Sequence, residues 1–272
     1  PEQVRHLIGY ERMEGAPVVK PFGVLQRDGY RIEKLTYLSE PGIEVPALLY
    51  IPESATQKHP AVIYVNSDGK SAEPSDLESM VKQGLVVLSI DARGFGETRD
   101  RSAADSASWS RYFGDYGNAV TSMLEGKTLT GGRAVDISRA VDLLSSRPEV
   151  KPQQIYGAAR KFGGVAMLHA AGLDSRIKRL ALEEALESYQ SVVDHRLSRG
   201  VLEHIVPGAL RYYDFPALVQ MMGTRPVVIV DAVDPMGIEV PASQVAKAYP
   251  TAKVLKRYAD STAAALYGFT KP

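Results

Sequence analysis

The chain has 272 residues, a length that one α/β domain often reaches, and its 44% apolar and 24% charged residues are typical of a globular protein. Lys plus Arg and Asp plus Glu both number 32, so the net charge is zero, and we expect neither nucleic acid nor a membrane as a partner. The absence of cysteine excludes disulfides, a cysteine nucleophile and thiolate metal ligands.

The sequence contains no apparent membrane span or signal peptide. Its longest apolar runs, such as Val227–Val230 and Leu85–Ile90, have the length of strands. The first residues, Pro1–Arg5, lack both an apolar signal-peptide core and an initiator methionine, so we expect a processed product or a piece of a longer protein. The compartment stays open, and an extracytoplasmic location is expected if the chain acts on polysaccharide.

The N-terminal part predicts a β-hairpin. Tyr30–Ser39 and Glu44–Ile51 are extended runs, and the Pro41-Gly42 pair between them supplies turn geometry. Ala61–Val65 follows as a short, continuous apolar run, which indicates a strand buried on both faces of a sheet.

After the hairpin, segments of strand and helix character alternate. The predicted helices are Pro74–Gly84, Gly131–Ser146, Gly163–Ala171 and Pro241–Ala248. The predicted strands are Leu85–Ile90, Gln154–Gly157, Arg179–Leu182, Pro226–Val230 and Ala252–Tyr258. This alternation predicts an α/β fold with a mostly parallel sheet and helices on both faces. We find no repeat or linker, so we expect a single domain over residues 1–272, with an aromatic-rich helical insertion at about 185–222.

The central segments resemble a known superfamily. Gly131–Val150, the strand at Ile155–Gly157 and the following Gly163–Ile177 closely resemble the middle of α/β hydrolases of the acetyl xylan esterase and dienelactone hydrolase types. Asp91–Thr98 and Val227–Pro235 fit the same pattern. The resemblance implies the α/β-hydrolase fold and the hydrolysis of carboxylic esters, including those of carbohydrates. Many bacterial relatives of this type carry two such domains in tandem, and this chain is a candidate for one of them.

In that superfamily the nucleophile occupies a Gly-x-Ser-x-Gly turn between a strand and a helix. Aligning the second glycine of the motif with Gly163 places Lys161 in the serine position, and a shift of one residue would place Arg160 there. Neither residue is a serine, and the motif occurs nowhere in the chain.

The resemblance also indicates where the other two triad members belong. Asp234, after the next-to-last predicted strand, matches the acid position. The histidine belongs after the last strand, where the chain has Asp260 and Ser261 but no histidine. The five histidines are residues 6, 59, 169, 195 and 204. The resemblance therefore implies that one of three triad members is retained.

The residues at the nucleophile position leave three interpretations open. Lys161 is an activated amine, or it is an ordinary solvated or ion-paired lysine whose partner is Asp234, and we favour the second. In the third interpretation Arg160 and Lys161 together bind an anion at the start of the next helix.

Several further residues are candidates for a pocket. Asn66 and Ser67 occupy the place where relatives supply an oxyanion-hole N–H, and Arg93 belongs to a loop near the site. Asp260 lies in the segment after the last strand. Tyr212 and Tyr213 either form a platform for a sugar ring or dock the insertion on the core.

Three functional hypotheses follow. The first is a non-catalytic accessory domain of a carbohydrate esterase. The second is an active ester hydrolase that uses Ser67, Ser261 or Asp234 together with His195 or His204. The third is a sugar- or anion-binding module. The expected partners are a carbohydrate or acylated small molecule and a second hydrolase domain, and no metal or cofactor is expected.

Overall fold

The computed structural model describes residues 1–53, 57–100 and 112–269. Within them, nine strands form one sheet in the order β1-β2-β3-β5-β4-β6-β7-β8-β9. Their bounds are β1 Val19–Arg27, β2 Tyr30–Glu40, β3 Ile43–Pro52, β4 His59–Asn66, β5 Val86–Ile90, β6 Val150–Arg160, β7 Ile177–Glu183, β8 Val227–Val230 and β9 Lys253–Leu255. The pairs from β1 to β5 are antiparallel, and β5, β4, β6, β7, β8 and β9 are mutually parallel neighbours.

Helices cover both faces of this sheet. Their bounds are α1 Glu2–Ile8, α2 Pro74–Lys82, α3 Tyr116–Leu124, α4 Leu129–Ser146, α5 Gly163–Leu173, α6 Tyr189–Asp194, α7 Phe215–Met221, α8 Ala242–Ala248 and α9 Ala263–Tyr267. One core contains residues of α1, α4, α5 and α7, and the other contains residues of α2 and α9. The predicted arrangement, a mostly parallel sheet between two layers of helices, is confirmed.

Local sequence explains the elements that frame the site. Ala61–Val65 in β4 is completely buried and rich in β-branched residues, as expected for a parallel strand covered on both faces. Thr128 caps α4, because its hydroxyl accepts the N–H of Gly131 at 2.9 Å. The helix ends at Ser146, just before Arg147-Pro148.

The structure corrects some bounds and adds elements. The predicted hairpin is confirmed as β2 and β3, but β1 pairs with it and was not predicted. Seven of the nine residues of β1 are exposed and the other two are half-buried, so this edge strand shows no alternating pattern of burial. The last strand is shorter than predicted.

Between β7 and β8 lie α6, α7 and the 3-10 turns Leu202–His204 and Ala209–Arg211. None of the described helices is both long and apolar enough to cross a membrane.

Candidate active-site cavity

A cavity of about 620 Å³ opens at the carboxyl ends of the parallel strands. Ser67 and Asp68 line it after β4, Lys161 after β6, Glu184 after β7 and Asp231 after β8. Open α/β sheets bind ligands at this edge, because the loops that follow neighbouring parallel strands meet there. We call this space the cavity.

The turn between β6 and α5, residues Arg160–Gly163, has the geometry of a nucleophile elbow. Lys161 lies at its apex with φ +53°, a left-handed conformation that costs a residue with a side chain of the order of 1 kcal/mol. Its N–H donates to the Glu183 carbonyl at 2.9 Å. A Cβ on Gly163 would approach the Val65 carbonyl oxygen to 2.6 Å, so only glycine fits there. Lys161, rather than Arg160, therefore occupies the position from which a side chain projects into the cavity.

The Lys161 ammonium forms an ion pair with Asp68. The two side chains are 41% and 54% exposed, so the pair is in contact with solvent. The sequence analysis named Asp234 as the partner, and the structure corrects this to Asp68, which follows β4. The sequence reasoning missed Asp68 because it treated the loop after Asn66 as a source of backbone N–H groups.

Arg160, the residue before the apex, points away from solvent and is only 6% exposed. Its guanidinium lies 2.8 Å from Glu184, 3.1 Å from Glu73 and 3.4 Å from Asp76. Burial opposes its charged form, but the neighbouring carboxylates of Glu183 and Glu184 outweigh this and raise the pKa of Arg160. These contacts do not favour the interpretation that Arg160 binds an external anion.

Arg257, two residues beyond β9, directly precedes the segment where the resemblance implies a histidine. Its Nη2 donates to Asp76 at 2.9 Å and to Glu183 at 2.8 Å. Tyr267 donates to the same Glu183 carboxylate at 2.6 Å. Arg160, Arg257, Asp76 and Glu183 together form what we call the ion-pair network. Asp260 is exposed and lies outside the lining of the cavity, as does Ser261.

The predicted acid, Asp234, lines the cavity in the turn after β8. Its Oδ1 accepts the N–H groups of Met236 and Ile238 at 2.8 and 2.9 Å. His195 approaches the other oxygen, with its Nε2 3.5 Å from Oδ2. His195 Nδ1 lies 2.6 Å from the Ser191 carbonyl, which can only accept, so that nitrogen carries a hydrogen. Nε2 consequently donates to Asp234 only when the ring is protonated.

Asp231, which follows β8 directly, is a cavity residue that the sequence analysis missed. Its φ is +45°, and its Oδ2 accepts the main-chain N–H of Arg257 at 3.0 Å. The sequence contains the evidence for a second candidate, because Asp231 and Asp234 follow the same predicted strand and either can be aligned with the acid position.

His204 lines the cavity but cannot act as a base in this state. Burial lowers the pKa of its imidazole well below the ordinary value, and the nearby Arg133 and Arg99 cations lower it further. Its Nδ1 accepts from Arg133 at 3.0 Å, so the hydrogen of the neutral ring is on Nε2. The ring stacks on Phe162, with centroids 4.2 Å apart and planes inclined by 8°.

The remaining predicted residues are divided between the cavity and the interior. Ser67 lines the cavity, whereas Asn66 is fully buried and accepts the Asp68 N–H at 2.9 Å. Arg93 lies outside the lining and contacts Asp136 and Glu40 at 2.6 Å.

The two tyrosines of the insertion also separate. Tyr213 is buried, and its hydroxyl lies 2.9 Å from His169 Nε2, which favours the docking interpretation. Tyr212 is 56% exposed and lies outside the lining of the cavity.

Other residues that line the cavity were not named as candidates from the sequence. They are Phe95, Arg99, Gly114, Phe162, Leu186, Arg199, Glu203 and Glu239. Among the residues that the structure describes, no group of three or more His, Asp or Glu is arranged to hold a metal ion.

Comparison with known proteins supports the same fold. YtaP of Bacillus subtilis (strain 168), named as a candidate hydrolase, is 24% identical over 199 residues, which cover 67% of this chain and 62% of that protein. The chain thus spans less than two thirds of this relative. A candidate acetyl xylan esterase from Bacteroides fragilis NCTC 9343 superposes with a TM-score of 0.74 at 16% identity, covering 96% of this chain and 74% of the other.

The acetyl xylan esterase from Paenibacillus sp. R4 superposes with a TM-score of 0.64 at 22% identity, covering 96% of this chain and 87% of the other. At such identities the two solved structures show the α/β-hydrolase fold alone. The family model for acetyl xylan esterase (AXE1) matches residues 21–205. Because this match covers more than half of the 272 residues, the chain belongs to the acetyl xylan esterase (AXE1) family.

Proposed function

We propose that the chain is a non-catalytic, acetyl xylan esterase-like domain that binds an acylated carbohydrate and serves as an accessory to a carbohydrate esterase. The observation that carries this proposal is the position of Lys161 at the apex of the elbow, with its ammonium paired to Asp68. A protonated amine has no lone pair with which to attack an ester carbonyl.

The chemistry around Lys161 also argues against slow turnover. If the amine lost its proton and attacked an acetyl ester, the alcohol would leave and a stable amide would remain on Lys161. Hydrolysing that amide would need an activated water, and the chain has no histidine after β9 to serve as its base. Loss of triad members leaves at most the residual contribution of binding and oxyanion stabilisation.

The cavity itself suits a ligand. Its volume of about 620 Å³ falls within the range of about 300–1,000 Å³ of small-molecule sites. Phe95, Phe162 and Leu186 supply apolar surface, and Ser67 together with the charged side chains supplies hydrogen-bonding groups. An acetylated sugar presents the same combination of a small apolar acyl group and several hydroxyls.

One observation favours the rival proposal of an active ester hydrolase. His195 lies beside the cavity with Nε2, which carries the lone pair of its neutral ring, 3.5 Å from Asp234, so a change in the ring's orientation would make it a candidate base. Ser67 lines the same cavity and is the hydroxyl that such a mechanism would use.

Activity and binding measured on the same protein separate these proposals. We expect p-nitrophenyl acetate hydrolysis at the buffer rate, and heat of binding with acetylated xylo-oligosaccharides in calorimetry. Phe162→Ala should weaken that binding, whereas Lys247→Ala, an exposed change on α8, should not. Turnover that disappears in His195→Ala or Ser67→Ala would establish the rival, and no heat with any acetylated sugar would contradict the proposed binding role.

A further inference from the structure

A second cavity of about 680 Å³, which we call the groove, lies over the N-terminal part of the sheet. Its floor consists of residues of β2 and β3, among them Ile32, Lys34, Leu48 and Tyr50. Because Tyr30 to Thr36 of β2 line its length at about 3.3 Å per residue, the groove extends for roughly 20 Å. Such a shape accommodates a linear molecule better than a compact one.

The walls of the groove come from two different directions. Phe22, Leu25 and Arg27 of β1 form the outer wall. The inner wall contains Ser71 and the first turns of α2, which packs over β3 and β5 on this face of the sheet. Phe22 is 65% exposed, so the groove offers apolar surface to solvent.

The charges along the groove do not balance. Its two carboxylates have cationic partners, since Glu78 pairs with Lys82 at 2.8 Å and Glu97 with Lys70 at 2.5 Å. In contrast, Arg27 forms no ion pair with a residue that the structure describes; it donates to the main-chain oxygen of Gln26 at 3.2 Å and interacts with Glu78 at longer range.

Lys34 is exposed and forms no ion pair within residues 1–53, 57–100 and 112–269. Arg27 pairs in register with Tyr30, so the two cations are separated by four residues of β2, about 13 Å. Two cations at this spacing, neither in an ion pair with a described residue, favour a ligand with carboxylates distributed along a chain.

The groove and the active-site cavity share one wall. Ser67 and Asp68 line the cavity while Lys70 and Ser71, in the same loop, line the groove. The buried Asp91 fixes this wall, because its Oδ2 accepts from the Lys70 ammonium at 2.7 Å and from the Glu97 N–H at 3.0 Å. A polymer seated in the groove would have its next sugars beside the cavity.

We propose that the groove is a second binding site, for a linear polysaccharide that carries carboxylate-bearing sugars, such as an acidic xylan segment. Arg27 and Lys34 contact the carboxylates, and the apolar residues of β1 and β3 pack against the sugar rings. The inference rests on the proposed function in one respect, namely that the ligand is a carbohydrate. It places polymer recognition outside the former catalytic cavity.

Calorimetry with two oligosaccharides of equal length, one neutral and one carrying glucuronic acid, tests the groove. We expect the acidic oligosaccharide to bind more tightly, with a Kd that rises when ionic strength increases from about 0.01 M to about 0.15 M. The double variant Arg27→Ala, Lys34→Ala should raise that Kd about tenfold or more. Both side chains are exposed, so the variant should keep the thermal stability of the unmodified chain, and Lys247→Ala should change neither quantity.

The outcomes separate this inference from the proposed function. Three results would each refute the proposal that the groove binds an acidic polysaccharide: equal affinity for the two oligosaccharides, no heat with either, or an unchanged Kd in the double variant. A Kd for the acidic oligosaccharide that depends on Phe162 and not on Arg27 and Lys34 would assign that ligand to the cavity and overturn the groove as well. Ester hydrolysis by the unmodified chain would refute the non-catalytic role and leave the groove intact.

Discussion

The ion pairs on the two sides of the elbow differ in their exposure to solvent. On the cavity side, Lys161 and Asp68 form a single pair that is about half exposed. On the other side, the ion-pair network is enclosed, and Glu183 is completely buried between Arg160 and Arg257. An exposed pair contributes about 0–1 kcal/mol and can rearrange around a ligand, whereas breaking a buried pair costs about 3–5 kcal/mol. The cavity side can therefore vary its contacts, whereas the ion-pair network holds the ends of β6 and β7 and the segment after β9 together.

The largest expected effect comes from removing the centre of the network. Glu183→Ala leaves the buried Arg160 and the partly buried Arg257 without their shared carboxylate and removes the acceptor of Tyr267. We expect the free energy of unfolding to fall by about 3–5 kcal/mol in urea denaturation. The matched change Glu125→Ala, at an exposed glutamate after α3, should alter it by less than about 0.5 kcal/mol. Similar losses of unfolding free energy in the two variants would show that the ion-pair network contributes no more to stability than an exposed charge.

A second prediction concerns how the free energy of unfolding depends on pH through His169, a buried residue of the helix that follows the elbow. Burial lowers the pKa of His169, on α5, to about 4, whereas the unfolded chain protonates this residue near its ordinary value of 6.5. The folded state binds fewer protons between these values, so this contribution is complete above pH 6.5 and is lost as the pH falls toward 4. We expect about 3 kcal/mol of unfolding free energy to disappear across that window.

The control for this prediction is His169→Gln, which removes the titrating ring. Its unfolding free energy should depend less on pH between 6.5 and 4 than that of the unmodified chain. Parallel pH profiles for the two proteins would show that folding leaves the pKa of His169 unchanged, which contradicts the prediction.

The third prediction tests the fit of the elbow against the sheet. Gly163→Ala would bring a methyl group to 2.6 Å from the Val65 carbonyl, a backbone atom that cannot move easily. We expect a loss of about 1–3 kcal/mol in unfolding free energy. Gly117→Ala in α3 meets no atom within 4 Å and should be neutral or slightly stabilising. A neutral Gly163→Ala would mean that the elbow is looser than the structure indicates.

The smallest expected effect is on the cavity side. Lys161→Ala and Asp68→Asn should each change the unfolding free energy by less than about 1 kcal/mol, because the pair is exposed. Lys161→Ser should be equally mild and should leave hydrolysis of p-nitrophenyl acetate at the buffer rate, since no histidine follows the last strand. A large gain in turnover from Lys161→Ser would show that another residue, with His195 the first candidate, serves as the base.

The fold was predictable because its strands and helices carry strong periodic signals. The continuous apolar run Ala61–Val65 and the helical spacing in Gly131–Ser146 identify central elements without knowledge of tertiary contacts. β1 escaped prediction because an edge strand has little buried surface and so no alternating pattern. Glycine at 163 located the elbow because close packing against β4 requires it.

The pairing of charges could not be predicted in the same way. Asp76, Glu183 and Arg257 are far apart in sequence, and only the order of the strands brings them together. Sequence reasoning accordingly paired Lys161 with Asp234, whereas the structure pairs it with Asp68. The sequence does contain an indication, because the charged residue Glu183 directly follows the predicted strand Arg179–Leu182. A charge at the end of a buried strand requires a partner in the interior.

The most direct test of the central claim, binding without hydrolysis, is proton NMR of the chain mixed with an acetylated xylo-oligosaccharide. Saturation transferred from the protein should reach the acetyl methyl groups, while free acetate should accumulate no faster than in buffer alone. Acetate that forms in proportion to protein concentration, and that ceases to form in Asp234→Asn, would contradict the account.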